Sequence, residues 1–203
     1  MTVEDILLAI SVSFVAFVST SIDNLFLLVT LSLHPKYGAA RVRAGYLLAV
    51  VVMLAISIVL AQSAQLIPTD YIPYMGLIPL GIGLYELYQL VTGGTNSGAG
   101  PTDDIAAGSG SIWAIALIML VHSWDSIGVL APLLADTKTG LVTWMGFTVM
   151  IAAALLIGLA QWSVSYPRIR QFLAKAAPKI LPFLLIGVGL YILTNTPTDI
   201  TMG

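Results

Sequence analysis

Read from its first residue, the chain alternates long apolar runs with short stretches that hold Pro, Gly or charge. Six runs stand out, over about residues 6–33, 44–67, 72–91, 112–135, 140–163 and 180–194. A helix needs about 20 apolar residues to cross a bilayer core roughly 30 Å thick. Only the last run falls short, and it extends toward Lys175 if Pro182 is tolerated, as prolines are in membrane helices. The pattern predicts an all-α, polytopic integral membrane protein with six transmembrane helices. The third and fourth runs are separated by GGTNSGAGPTDDIAAGSGS, a Gly- and Ser-rich segment with no periodic apolar face. It reads as a flexible linker over 93–111 dividing two three-helix units, 1–92 and 112–203.

Composition agrees and sharpens the exclusions. Only 9% of the 203 residues are charged and 58% are hydrophobic, against about 25% charged in an average chain. A soluble globular protein is excluded, and the main partner is the lipid bilayer, with no nucleic acid expected. There are no cysteines, which excludes disulfides, thiolate metal sites and thiol–disulfide redox carriers. The N-terminal MTVEDILLAI opens on two acids rather than a basic segment, so it reads as the start of a helix and not as a removable signal.

The eight Lys and Arg residues orient the chain. Lys36, Arg41 and Arg43 lie in the first connection, Arg168, Arg170, Lys175 and Lys179 in the fifth, and Lys138 alone in the fourth. The positive-inside rule then places seven of the eight, and the linker, in the cytoplasm, with both termini outside. Trp113, Trp144 and Trp162 fall near helix ends, as in an aromatic belt. The central Trp124 reads as a packing residue. The stretch YPRIRQFLAKAAPK, cationic with interspersed apolar residues, is expected along the inner interface.

The two units resemble each other. TSIDNLFLLVTL aligns with HSWDSIGVLAPL at an offset of 102, pairing Ser21 with Ser123 and Asp23 with Asp125. GIGLY (81–85) aligns with GVGLY (187–191) at an offset of 106. Three spans per unit invert the second relative to the first, the plan of many secondary transporters. The fold class expected is therefore two inverted three-helix repeats. The glycines of GIGLY and GVGLY are expected at close helix contacts.

Asp23 lies ten residues from Leu33, and Asp125 ten from Ala135, about 15 Å along a helix. Both acids are thus expected near the membrane midplane. An ionised side chain there costs roughly 2.5–3.5 kcal/mol on insertion scales unless a polar cavity, a proton or a cation receives it. Thr20 and His122 each sit three residues before their Asp, on the same helical face. Ser21, Asn24, Ser123 and Ser126 add oxygen atoms around the same turns. Asp23, Asp125, Asn24, Thr20, His122 and Ser126 form the candidate metal shell, with Pro132 positioned to loosen the fourth helix. Glu86, whose repeat partner is Ile192, reads as snorkelling to the inner surface. Asp103 and Asp104 in the linker read as solvated charges.

TSIDNLFLL, GLIPLGIGLYEL, WDSIGVLAPLL and GVGLYIL, taken in order, resemble the cadmium resistance transporters (CadD family) of the lysine exporter (LysE) superfamily. The resemblance covers nearly the whole chain. It implies a six-helix exporter of divalent metal in a bacterial-type plasma (inner) membrane, with that family's acids falling on Asp23 and Asp125. One segment departs from the pattern: where the family usually has Gly-Ala-Asp-Asn or Gly-Gly-Asp-Asn, often with a nearby Cys, this chain has Ser123, Trp124, Asp125 and Ser126. Without thiolates, an oxygen-rich set with one imidazole suits Mn²⁺ or Zn²⁺ as well as Cd²⁺.

The expectation is a proton-coupled secondary exporter that works by alternating access. It carries a divalent metal ion as cargo, with no permanently bound cofactor and no enzymatic activity. A homodimer is compatible with the pattern. Two rivals fit parts of it: an exporter of amino acids or other small cations, and an intramembrane aspartyl protease, whose usual Tyr-Asp and Gly-x-Gly-Asp contexts are absent here.

Overall fold

In a computed structural model the described residues, 2–33, 37–64, 66, 68–92 and 111–194, are helical almost throughout. The expected linker, apart from Ser111, lies outside them, as does Lys36. The first unit runs α1 (Val3–Thr20), α2 (Ile22–Leu33), α3 (Ala39–Ala64), a 3-10 turn (Thr69–Gly76) and α4 (Leu77–Thr92). The second runs α5 (Ile112–Val121), α6 (Trp124–Asp136), α7 (Thr139–Ser165) and α8 (Pro167–Leu193). The fold is that of an all-α, polytopic membrane protein. Among the described residues α1, α3 and α7 are each long and apolar enough to cross a bilayer, and α5 with α6 form a fourth candidate span bent by 69°.

Local chemistry explains the helix ends. The Thr2 hydroxyl accepts from the Asp5 amide at 3.2 Å and the Asp5 carboxylate accepts from the Thr2 amide at 2.9 Å. This capping box starts α1 three residues before the apolar run suggested. The third run begins as a 3-10 turn because Pro73 lies inside it without an N–H. Pro167 occupies the first turn of α8, where a missing N–H costs nothing, and the helix begins well before residue 180.

The largest departure from the sequence pattern is that two runs read as continuous helices are broken. Run 6–33 breaks at Ser21, with φ −102° and ψ 9°, and run 112–135 breaks at His122 and Ser123. Polar side chains that bond to the backbone cluster at both. The hydroxyls of Ser19 and Thr20 donate to the Ala16 carbonyl at 2.9 and 3.1 Å, and the Ser123 hydroxyl donates to the Met119 carbonyl at 2.8 Å. The last turns then tighten: the Ser21 amide bonds the Val18 carbonyl and the Ser123 amide bonds that of Leu120. Pro132 is not a breakpoint. α6 runs through it without interruption, since one lost ladder bond is held by its neighbours.

The first helix of each unit packs on the second long helix of the other: α1 on α7, and α5 on α3. α4 and α8 pack on each other. The second glycines of the two repeated motifs sit at this contact. A Cβ on Gly83 would lie 2.8 Å from the Ile186 amide nitrogen, and a Cβ on Gly189 would lie 2.6 Å from that of Leu80. Gly81 and Gly187 have open space. So only one glycine of each pair serves close packing, and the offset of 106 carries one contact onto the other.

Burial follows a membrane logic. Phe17, Tyr46, Met53, Ile115, Met119 and Leu130 fill the interior. Phe147, Ile151 and Leu155 form an apolar outer stripe on α7, each at least 58% exposed. A stripe of this kind at helical spacing faces lipid, not water.

Candidate functional site

Both breaks fall inside the repeated motif, and each creates a new helix N-terminus. Ser21 and Ser123 are the residues before α2 and α6, and their carbonyls accept from the amides of Leu25 and Ile127, both at 3.0 Å. Asp23 and Asp125 therefore occupy the same place, the second residue of a half-helix, where the helix dipole favours negative charge.

Two hydrogen bonds join the breaks across the units. Asn24 Nδ2 donates to Ser123 Oγ at 2.9 Å, and Ser126 Oγ donates to the Thr20 carbonyl at 3.3 Å. Asn24 and Ser126 are repeat partners at the offset of 102, so each unit reaches into the break of the other with the same position. The breaks thus lie at one level of the bundle. The helices leading to them differ in length, 18 residues in α1 and 10 in α5.

The two acids differ in surroundings. Asp23 is exposed and Asp125 half-buried. They lie within electrostatic reach of each other, and His122 lies within reach of Asp23. The Asp125 carboxylate also sits beside the backbone N–H of Ser126.

The candidate shell separates into groups that are free and groups that are engaged. Thr20 is buried and its hydroxyl lies 3.1 and 3.2 Å from the carbonyls of Ala16 and Phe17, so its proton is used. Ser126 spends its proton on Thr20. His122 Nδ1 faces the Ile118 carbonyl at 3.2 Å; as donor there it leaves Nε2 with the free lone pair. Asn24 is buried with Nδ2 engaged and Oδ1 without a partner.

Asp125 Oδ1, Ser21 Oγ and the Tyr46 hydroxyl are likewise buried without hydrogen-bond partners. Buried polar atoms left unpaired are uncommon in native structures and call for a ligand or water. Among the described residues no three His, Asp or Glu side chains already converge on one point. The site is a set of oxygen atoms around two helix ends rather than a closed cage.

Two residues escaped the sequence reading. Tyr46 stands on α3, 1% exposed, with its hydroxyl near Ser21; its only signal in sequence was a phenol within an apolar run. Glu86 is half-buried on α4 and within electrostatic reach of both Asp23 and Asp125. Trp124 also departs from expectation. Its ring is 73% exposed and walls an apolar groove of about 420 Å³ with Leu60, Met75, Ile78 and Pro132.

The family model for cadmium resistance transporters matches residues 17–202. The chain belongs to the cadmium resistance transporter family. Both breaks and all six candidate ligands fall within the matched segment. Membership makes the chain a membrane transporter rather than an enzyme, which removes the aspartyl protease reading. No curated protein and no solved structure matches the chain.

Proposed function

We propose that the protein is a secondary exporter of divalent metal cations, with Cd²⁺ the first candidate from its family and Mn²⁺ or Zn²⁺ compatible with the donor set. The observation that carries the reading is the pair of repeat-related helix breaks, each followed by an aspartate and joined by reciprocal hydrogen bonds. Broken helices that bring their ends together are the usual substrate and ion sites of inverted-repeat transporters. The reciprocal Gly83–Ile186 and Gly189–Leu80 contacts support a two-fold relation between the units. In this reading six spans form two inverted repeats, the linker and most basic residues face the cytoplasm, and both termini lie outside in a bacterial-type inner membrane.

Each residue then has a role. Asp23 and Asp125 hold the cation, and Asn24 Oδ1 and His122 Nε2 contribute neutral ligand atoms. Thr20 and Ser126 join the breaks and offer their remaining lone pairs. The buried Tyr46 and Ser21 hydroxyls orient the carboxylate side of the site through water. Protons that the cation displaces from the acids serve as counter-ions, and rocking of one unit against the other exposes the site to alternate sides. The test is Cd²⁺ flux into proteoliposomes containing the purified chain. Asp23→Asn and Asp125→Asn proteins that fold normally should lose it, and flux unchanged in both variants would defeat the assignment.

A further inference from the structure

The two half-helices that carry the acids are enclosed to different degrees. On α2, Asp23, Thr30 and Leu33 are exposed. Their repeat partners on α6 are Asp125, which is half-buried, and Pro132 and Ala135, which are buried. Asp23 and Thr30 lie seven residues apart and share one face of α2. An ionisable side chain turned to hydrocarbon is costly, and such groups face a water-filled space instead.

The α4–α8 pair accounts for the difference. Its two members are repeat partners, so a two-fold relation between the units carries the pair onto itself and makes α2 and α6 equivalent neighbours of it. The pair nevertheless leans to one side. α6 packs on α4, on α8 and on the 3-10 turn, whereas α2 packs on α1, α3 and α7 and makes no comparable contact with the pair among the described residues. A Cβ on Gly128 of α6 would lie 3.5 Å from Ile82 of α4. At the offsets of 102 and 106 the image of that contact would join Phe26 of α2 to Val188 of α8.

The bonds across the breaks are unequal in the same sense. Asn24 Nδ2 reaches the Ser123 hydroxyl, and the image of that bond would take the Ser126 hydroxyl to the Ser21 hydroxyl. Ser126 donates instead to the Thr20 carbonyl, and Ser21 Oγ is buried without a partner. A serine hydroxyl has one proton to give, so Ser126 serves one of these acceptors at a time.

We propose that this structure is one of two end states, with the ion site open along α2 and closed along α6, and that the α4–α8 pair exchanges α6 for α2 to form the other. In the second state Phe26 meets Val188, Ser126 donates to Ser21, and the path opens along α6. The inference rests on the reading of two inverted units around Asp23 and Asp125. Because the units are inverted, exchanging their surroundings turns the opening to the opposite side of the membrane. In the orientation proposed above, α2 leads toward Arg41 and Arg43, so the state described here takes its ion from the cytoplasm.

The full chain has no cysteine, so introduced thiols report alone. In lipid nanodiscs, Thr30→Cys should react faster than Pro132→Cys with a charged maleimide that does not enter hydrocarbon; equal or reversed rates would overturn the opening along α2. A short bis-methanethiosulfonate reagent should cross-link Ile82→Cys with Gly128→Cys in this state, and Phe26→Cys with Val188→Cys in the other. Either cross-link should abolish Cd²⁺ flux in proteoliposomes, while the four single variants treated alike keep it. A first pair that closes while the second never does would overturn the exchange, as would flux through either cross-linked protein. If a pair fails to fold, spin labels at the exposed Leu33 and Leu84 decide: two distances are expected, and one distance unchanged by Cd²⁺ would overturn the exchange. Parent-like flux in Asp23→Asn and Asp125→Asn would instead overturn the ion-site reading beneath it, whichever pairs close.

Discussion

Replacing Gly189 by alanine tests the α4–α8 contact directly. The new Cβ would lie 2.6 Å from the Leu80 amide nitrogen and 2.8 Å from its Cα and Cβ. These are mostly backbone atoms, which no rotamer change can move aside. The helices must part by about 0.8 Å to restore ordinary contact, and a gap of that size forfeits roughly a quarter to a half of the dispersion energy along the interface. Lipid gives helices no hydrophobic reason to associate, so close packing carries the contact.

Overpacking typically costs about 1–3 kcal/mol. The better helix propensity of alanine returns about 1 kcal/mol, leaving a net loss of up to about 2 kcal/mol. At this chain length that lowers the melting temperature by up to about 8 °C. Gly83→Ala should behave alike, because its Cβ would meet the Ile186 backbone at 2.8 Å. Gly81→Ala and Gly187→Ala enter open space and should be neutral or slightly stabilising. The assay is thermal unfolding by circular dichroism in one detergent for all four variants. Equal melting of the four, or greater damage at Gly81 and Gly187, would refute the reciprocal packing.

Two further outcomes are expected. A double-mutant cycle on Asn24→Ala and Ser123→Ala, read by unfolding free energy, should give a coupling of about 0.6 kcal/mol and at most about 1.7 kcal/mol, the range of hydrogen bonds between membrane helices; zero coupling would mean that the 2.9 Å bond does not join the breaks. In proteoliposomes, Cd²⁺ entering the lumen should drive protons out and raise the pH reported by a trapped dye, with no such rise in Asp125→Asn. Sustained Cd²⁺ entry at constant lumenal pH would remove protons as the counter-ion.

Much of the molecule was legible in the residue pattern. Apolar runs located the helices to within a few residues at Ile112 and Thr139, because runs of Leu, Ile, Val and Ala have few other stable states in lipid. The repeat, read from Ser21, Asp23 and the glycine motifs, picked out the positions where the structure breaks and crosses. What the pattern concealed was the break itself. Ser19, Thr20 and Ser21 in the first unit, and His122 and Ser123 in the second, interrupt helices whose apolar pattern continues on both sides. Hydroxyl side chains also occur within unbroken membrane helices, bonded to the carbonyl one turn back, so their presence alone does not mark a break.

The sequence alone determined the class of this protein, its helices and its two motif acids, since these follow from the cost of exposing charge and backbone to lipid. Tertiary structure decided which polar atoms are engaged and which are free. Asn24 is split between a bonded nitrogen and a free oxygen, Thr20 and Ser126 spend their protons on carbonyls, and Tyr46 turns an unpaired hydroxyl toward Ser21. Such facts depend on how separate helices meet, and the spacing of residues within one helix carries no information about its neighbour's register.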